Sequence, residues 1–455
     1  MRARLVVVAS WIAAGLGLGA TAVTAAGCEG EASFGDPFPI VVDLGSGAVI
    51  AHVREGDGTV RTATVDVLAP LTVIDVAPGT AVSRRSTTLT LLGGTGTELV
   101  PRAHLPVTVT QLHACPQEPC QVGPEAAPVA IDAVIGGDAL DTGAARFDLT
   151  TSELFLFPDV AGDDAARGRV CDAVMSRPFH GGGTLYLDGT KITFAAHRIA
   201  IGACLAYDPE EDPDLATEAG ADVQLVLSTG MAPTILSWSA YRRWLDATGL
   251  PEPTGLPRGA VWLPGGLVEG TLATIDRMAL VGDDTTLRGP CRKVRAHHLL
   301  SVRDCQTGDS CPCSGGATFC QVPAVVELSP AAGIEVLLVD DDDPVLQALR
   351  SELRPEAAEV DGILGTDAMR ALAFDVDAPN SRVLMRCESF GGCVARPQLR
   401  TSTSRCEIGA CLARAGHDDV CGVVPTAADA AMPDAEAPDA GGPDAGAPDA
   451  AAAAP

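Results

Sequence analysis

The chain has 455 residues, is 47% hydrophobic, and carries 59 acidic against 31 basic side chains for a formal charge of -28. That apolar content fills substantial cores and excludes a disordered chain, and the length leaves room for two or three domains. So acidic a balance repels phosphate backbones and anionic head groups, which argues against nucleic acid as a partner.

Residues 1–27 read as an export signal, because Arg2 and Arg4 precede an apolar run from Leu5 to about Val23 that closes in small residues. Thr24-Ala25-Ala26-Gly27 ahead of Cys28 resembles a bacterial lipobox, with cleavage after Ala20-Thr21-Ala22 as the alternative. The 15 cysteines are an odd number for an oxidising compartment, and lipid on Cys28 would leave an even number to pair. Cys28 is therefore the expected lipidation site. With Glu29 after it, the chain is expected to be exported and held at the bacterial envelope, at the outer membrane, by N-terminal lipid.

Residues 28–37 are a polar linker. From 38 to 165, short apolar or alternating runs such as Thr62-Ala63-Thr64-Val65 and Leu71-Thr72-Val73-Ile74 recur between Gly, Pro and Asp, the pattern of an all-β lobe. Cys115 and Cys120 are close enough to clip one loop. The organisation restarts over 166–388, with a hairpin turning at Asp188-Gly189. Residues 237–250 predict a helix with Tyr241, Trp244 and Leu245 along one face. The run Asp340-Asp341-Asp342-Asp343 before Pro344 reads as a solvated helix start, since one contiguous run lacks the alternating ligands of a calcium loop. Cys305, Cys311, Cys313 and Cys320 read as disulfide partners in a long insertion rather than a zinc site. Residues 389–424 form a Cys-rich segment too small for its own core, and 425–455, with Pro-Asp-Ala recurring at Pro433, Pro438, Pro443 and Pro448, predict a disordered tail.

Two distant stretches share one pattern. Ile131-Asp132-Ala133-Val134-Ile135-Gly136 leads on to Phe147-Asp148-Leu149, and Val360-Asp361-Gly362-Ile363-Leu364-Gly365 leads on to Phe374-Asp375-Val376. Each is a buried strand ending in Gly, a short helix and a closing hairpin, so an internal duplication is expected. Upstream of each lies a strand–loop–strand, 65–74 around Asp66-Val67-Leu68 and 227–236 around Ser228-Thr229-Gly230. With four elements in this order, residues 38–388 resemble the aspartic peptidases, both the two-lobed pepsin-like enzymes and their single-lobed retropepsin-like relatives. The resemblance implies an all-β, two-lobed β-barrel fold with few short helices, in which an Asp-Thr-Gly loop from each lobe meets its counterpart, and it implies no cofactor and no metal.

Read against that pattern, Asp66 and Ser228 occupy the dyad-equivalent positions, and Val67, Leu68, Thr229 and Gly230 complete the cleft loops. The family's chemistry needs two carboxyls sharing one proton, and a serine hydroxyl neither ionises near neutral pH nor holds a usable proton. Val67 cannot bond across the lobes through its side chain as Thr would, and Leu68 is expected to disfavour the tight turn that Gly allows. Pro70 follows Asp66 by four residues whereas Pro233 follows Ser228 by five, which leaves the register of the first loop open by one. A literal Asp141-Thr142-Gly143 lies in the wrong context and is read as a decoy, and Asp75 is an alternative acid at the far end of a strand. No Gly-x-Ser-x-Gly surrounds Ser228, and His113, His180 and His197 read as surface or structural. The expectation is a non-catalytic, monomeric envelope lipoprotein that binds peptide or protein between its lobes. An active aspartic endopeptidase using Asp66 with an unidentified acid and a purely structural role are the alternatives.

Overall fold

A computed structural model describes residues 38–400, apart from 44, 94–99, 141–142, 158–172, 188, 206–219, 283–288, 292, 295–320, 323, 354–358, 388–391 and 397–398. The export signal, Cys28, Asp141, Thr142, the Cys305–Cys320 group and the tail therefore lie outside the described residues.

The fold is all-β and two-lobed. In the first lobe the alternating segment Val49–Arg54 pairs with Val60–Val65 on one side and with Ser83–Gly93 on the other, closing the sheet into a barrel with buried Val49, Ala51 and Val53 inside. The second lobe belongs to a 13-stranded sheet. That sheet also takes in Gln121–Pro124 of the first lobe, through Trp262 opposite Gly123.

The expected duplication is visible as topology. Ala133–Ile135 runs parallel to Val60–Val65 and antiparallel to Val73–Asp75, while Gly362–Leu364 runs parallel to Ala221–Leu227 and antiparallel to Thr234–Ser237. Each short buried strand thus threads between the strand entering a loop and the strand leaving it. The glycines that end these strands are dictated by space, because a Cβ on Gly136 would run into the carbonyl of Leu71 and one on Gly365 into those of Ala232 and Pro233.

A six-stranded sheet joins the lobes, with Ala144–Asp148 antiparallel to Leu372–Asp377 at its centre. Arg146 stands opposite Asp375 there, and Phe147 stacks on Phe374 with ring centroids 5.0 Å apart. Ala173–Ser176 forms one edge of this sheet.

Both predicted helices form. Trp238–Thr248 is capped by Ser237, whose side chain accepts from Ala240 N, and it ends at left-handed Gly249, burying Tyr241, Trp244 and Leu245. Pro344–Leu353 begins where Asp343 Oδ1 accepts from Val345 N at 2.9 Å. Asp341 is more than a solvated start, for it accepts from Ser239 Oγ at 2.6 Å and so ties the two helix beginnings together. Cys115–Cys120 and Cys387–Cys393 are bonded, as is Cys204–Cys291, whose separation of 87 residues left no local signal.

Candidate functional site

The two loops are of equal length, and their equivalence can be counted bond by bond. Asp66 N donates to Ile135 O and Ser228 N to Leu364 O, each at 3.0 Å. Gly136 N donates to Thr72 Oγ1 and Gly365 N to Thr234 Oγ1, each at 3.3 Å. Asp66 is therefore the counterpart of Ser228, Val67 of Thr229 and Leu68 of Gly230. The shifted proline is a substitution within the loop, so the first-loop register needs no offset.

The structure brings all six residues together. Ser228 Oγ donates to Asp66 Oδ1 at 3.0 Å and accepts from Gly230 N at 3.1 Å. The same carboxylate oxygen accepts from Leu68 N at 2.9 Å and Thr229 N at 3.1 Å. Thr229 Oγ1 reaches across the lobes, accepting from Val67 N at 3.1 Å and donating to Val65 O at 2.6 Å. Val67 has no hydroxyl to return that grip, and Thr229 N turns to Asp66 instead. Val49 N donates to Thr229 O at 2.8 Å, adding a further hydrogen bond between the lobes.

Leu68 does not impede its turn, contrary to expectation. Neither Leu68 nor Gly230 has a left-handed backbone, so the conformation is open to any residue. What position 230 requires is room, since a Cβ there would stand 2.6 Å from Asp66 Oδ2. At the counterpart position the Leu68 side chain packs into an apolar cluster of the second lobe with Ala200, Met231 and Ile235.

Asp66 is 3% exposed and Ser228 0%. Burial raises the Asp66 carboxyl above its ordinary range, against the opposing pull of the hydrogen bonds from Leu68, Ser228 and Thr229 and of the Arg198 charge. Arg198 is fixed in turn, with Nη1 donating to Leu68 O and with Glu352 taking Nη2 at 2.9 Å and Nε at 3.1 Å. Beside it His197 is buried, its Nδ1 3.1 Å from Ala195 O and its Nε2 without a hydrogen bond. Burial first, then Arg198, lowers its pKa to about 4, so it is neutral at pH 7 and structural in character. Sequence reasoning missed Arg198 and Glu352 as parts of this site. The available signal was Arg198 at the head of the apolar run 199–205 in a chain poor in basic residues.

No protein-family model matches the chain, and no curated protein matches it. Among solved structures it is similar to the aspartic proteinase from Irpex lacteus, at 13% identity over 78% of this chain and 97% of that one, with a TM-score of 0.31. It is also similar to Basic 7S globulin from soybean, at 11% identity over 78% of this chain and 95% of that one, with a TM-score of 0.39. What the loops can do is decided by their own residues.

Those residues offer one carboxyl and two hydroxyls, of which Ser228 donates to Asp66 and Thr229 to Val65 O. Among the described residues no second carboxyl hydrogen-bonds Asp66. Asp75 belongs to a different network, accepting from Ala114 N at 2.8 Å beside the Cys115–Cys120 disulfide. Asp138, next to the decoy triplet, accepts from Thr72 N at 2.7 Å and Oγ1 at 2.8 Å. A single buried carboxyl accepts three hydrogen bonds where the lobes meet. A peptidase dyad would need a second carboxyl to donate a proton to the substrate carbonyl while the first activates a water, and among the described residues none hydrogen-bonds Asp66.

Proposed function

We propose that the chain is a non-catalytic, exported, lipid-anchored protein of the bacterial envelope, in which an aspartic-peptidase-like fold serves binding rather than hydrolysis. The observation that carries the loss of catalysis is the Asp66–Ser228 hydrogen bond, a hydroxyl standing where a second acid would have to be. Leu68 supports the reading, because its side chain seals the first loop onto the second lobe. The anchor rests on the small residues before Cys28, and the ligand, an extended peptide taken up by main-chain hydrogen bonds between the lobes, rests on the architecture.

The test is a digest of an acid-denatured protein by the purified mature chain across acidic pH, beside an Asp66→Ala variant. No cleavage by either is expected, and cleavage that disappears in Asp66→Ala would overturn the non-catalytic reading. Fatty-acid labelling of cells expressing the full chain tests the anchor, with label expected on the native protein and lost in Cys28→Ala.

A further inference from the structure

A cavity of about 260 Å³ opens away from the two loops, between the edge strand Ala173–Ser176 of the joining sheet and the strand Arg198–Leu205 of the second lobe. Its wall is mixed. Met175, Ile201, Val281 and Pro290 supply apolar surface, while Arg177, His180 and Lys293 are basic and none of the described lining residues is acidic. In a chain with nearly twice as many acidic as basic side chains, that lining runs against the composition. The space is kept by glycines, since a Cβ on Gly202 would come within 2.9 Å of Pro290 Cγ and one on Gly282 within 3.2 Å of Val174 O.

Arg177 is the unusual member. Its φ of 56° is left-handed, a conformation that costs a residue with a side chain on the order of 1 kcal/mol and persists where neighbours enforce it. The enforcing contact is a 2.7 Å hydrogen bond from Arg177 N to Ser381 O, and Ser381 is itself left-handed at 50°. Among the described residues neither Arg177 nor His180 has a side-chain hydrogen bond or ion pair, and both stand at the cavity. Gln224, also in the wall, contributes an amide that can donate.

We propose that this cavity is a binding site for a carboxylate carried on a short apolar body, the chemistry shared by a free N-acyl amino acid and the C-terminal residue of a peptide. Arg177 takes the carboxylate through its planar fork, with His180 adding a donor, and the apolar wall takes the body. The volume suits a group of about one amino acid and is too small for a folded partner. The site shares no residue with the Asp66 and Ser228 loops, so it stands or falls apart from the non-catalytic reading.

The experiment is calorimetric titration of the full mature chain with N-acetyl-L-leucine, its carboxamide, inorganic phosphate, and Ala-Ala-Leu with a free or amidated C-terminus. N-acetyl-L-leucine is expected to bind, more weakly as salt is added, and the carboxamide not to bind. Binding by Ala-Ala-Leu as well, lost on amidation, would place a peptide terminus in the cavity, whereas its failure beside a binding acyl amino acid would assign the free metabolite. Arg177→Gly, which suits a left-handed backbone and is expected to leave the unfolding midpoint unchanged, should weaken the acid at least about ten-fold, the loss of one charge-assisted hydrogen bond. Equal binding of acid and carboxamide, equally strong competition by phosphate, unchanged affinity in Arg177→Gly, or no heat with the acid at about 10 mM would each overturn the assignment.

Discussion

Placing an acid at position 228 is the perturbation that tests how closely the two loops fit one another. By the loop equivalence, the carboxylate introduced by Ser228→Asp would point at Leu68 as Asp66 points at Gly230, where a Cβ would come within 2.6 Å of Oδ2. A real Cβ already occupies position 68, so the variant is overpacked, at about 1–3 kcal/mol. It also sets a second buried carboxyl beside one that burial already raises, and like charges so close cannot both ionise. Leu68→Gly alone empties part of the second-lobe cluster, at about 2–5 kcal/mol on the scale of a buried Leu truncation. In the double variant the overlap vanishes. The two changes should therefore be less harmful together than their sum, with a favourable coupling of about 1–3 kcal/mol. Urea unfolding of the native chain, both singles and the double at pH 5 measures it. Additivity within about 0.5 kcal/mol would refute the claim that Leu68 and Ser228 fit one another. Assayed on a denatured protein at acid pH, Ser228→Asp alone is expected to cleave nothing, and acid-dependent cleavage by that single variant would refute the account of the first loop.

Thr229→Val keeps the shape and leaves Val67 N and Val65 O without the partner that now serves both, so it should cost about 2–5 kcal/mol in chemical unfolding, with most of the loss recovered in Thr229→Ser. Asp66 is raised when folded, so the stability it contributes is fully present below the ordinary carboxylate range and is lost as pH rises through the raised value. Asp66→Asn, which keeps an acceptor for the three donors, should then be more stable than the native chain at neutral pH, with the gap closing toward pH 4; parallel pH profiles would contradict this. His197 has the opposite sign, because the unfolded side chain takes a proton near 6.5 and the folded one only at about 4, so stability falls as pH drops across that window and His197→Gln should flatten this limb. Arg146 and Asp375 are largely buried and doubly bonded at 2.6 and 2.7 Å, and Arg386 also stands 3.9 Å from Asp375, so Asp375→Asn, which leaves both arginines without their carboxylate, should cost about 3–5 kcal/mol in chemical unfolding.

Much of the fold was legible because its signals are local and periodic. The Ser237 cap, the 241–244–245 face and the Gly-terminated buried strands each report their own conformation within a few residues. The pairing of Asp66 with Ser228 was legible for a different reason, namely that two copies of one pattern imply a two-fold relation between them. What could not be read was whatever depends on the far lobe. Nothing near position 68 in the chain says that its side chain ends among Ala200 and Met231, or that the carbonyl of Leu68 receives Arg198 from a strand 130 residues away. Local conformational preference misled at that same place, where Leu was expected to disturb a turn whose demand turned out to be for space.

The pseudo-two-fold relation also gives the differences between the lobes a common cause. About such an axis a residue of one copy meets a different position of the other, and only residues on the axis, such as Phe147 and Phe374, meet their own counterparts, so the two copies need not keep identical residues. A leucine at position 230, as at its counterpart 68, would leave no room for the carboxyl that Gly230 accommodates. A duplicated chain is free to answer with complementary pairs. Arg146 faces Asp375, Leu68 packs into the second-lobe cluster, Gly230 makes room for Asp66, and Thr229 supplies both bonds that Val67 cannot share. Each departure from the Asp-Thr-Gly pattern in one loop is thus matched by its counterpart in the other. The loops fit one another through Ser228, Thr229 and Gly230, each set against a group of the first loop.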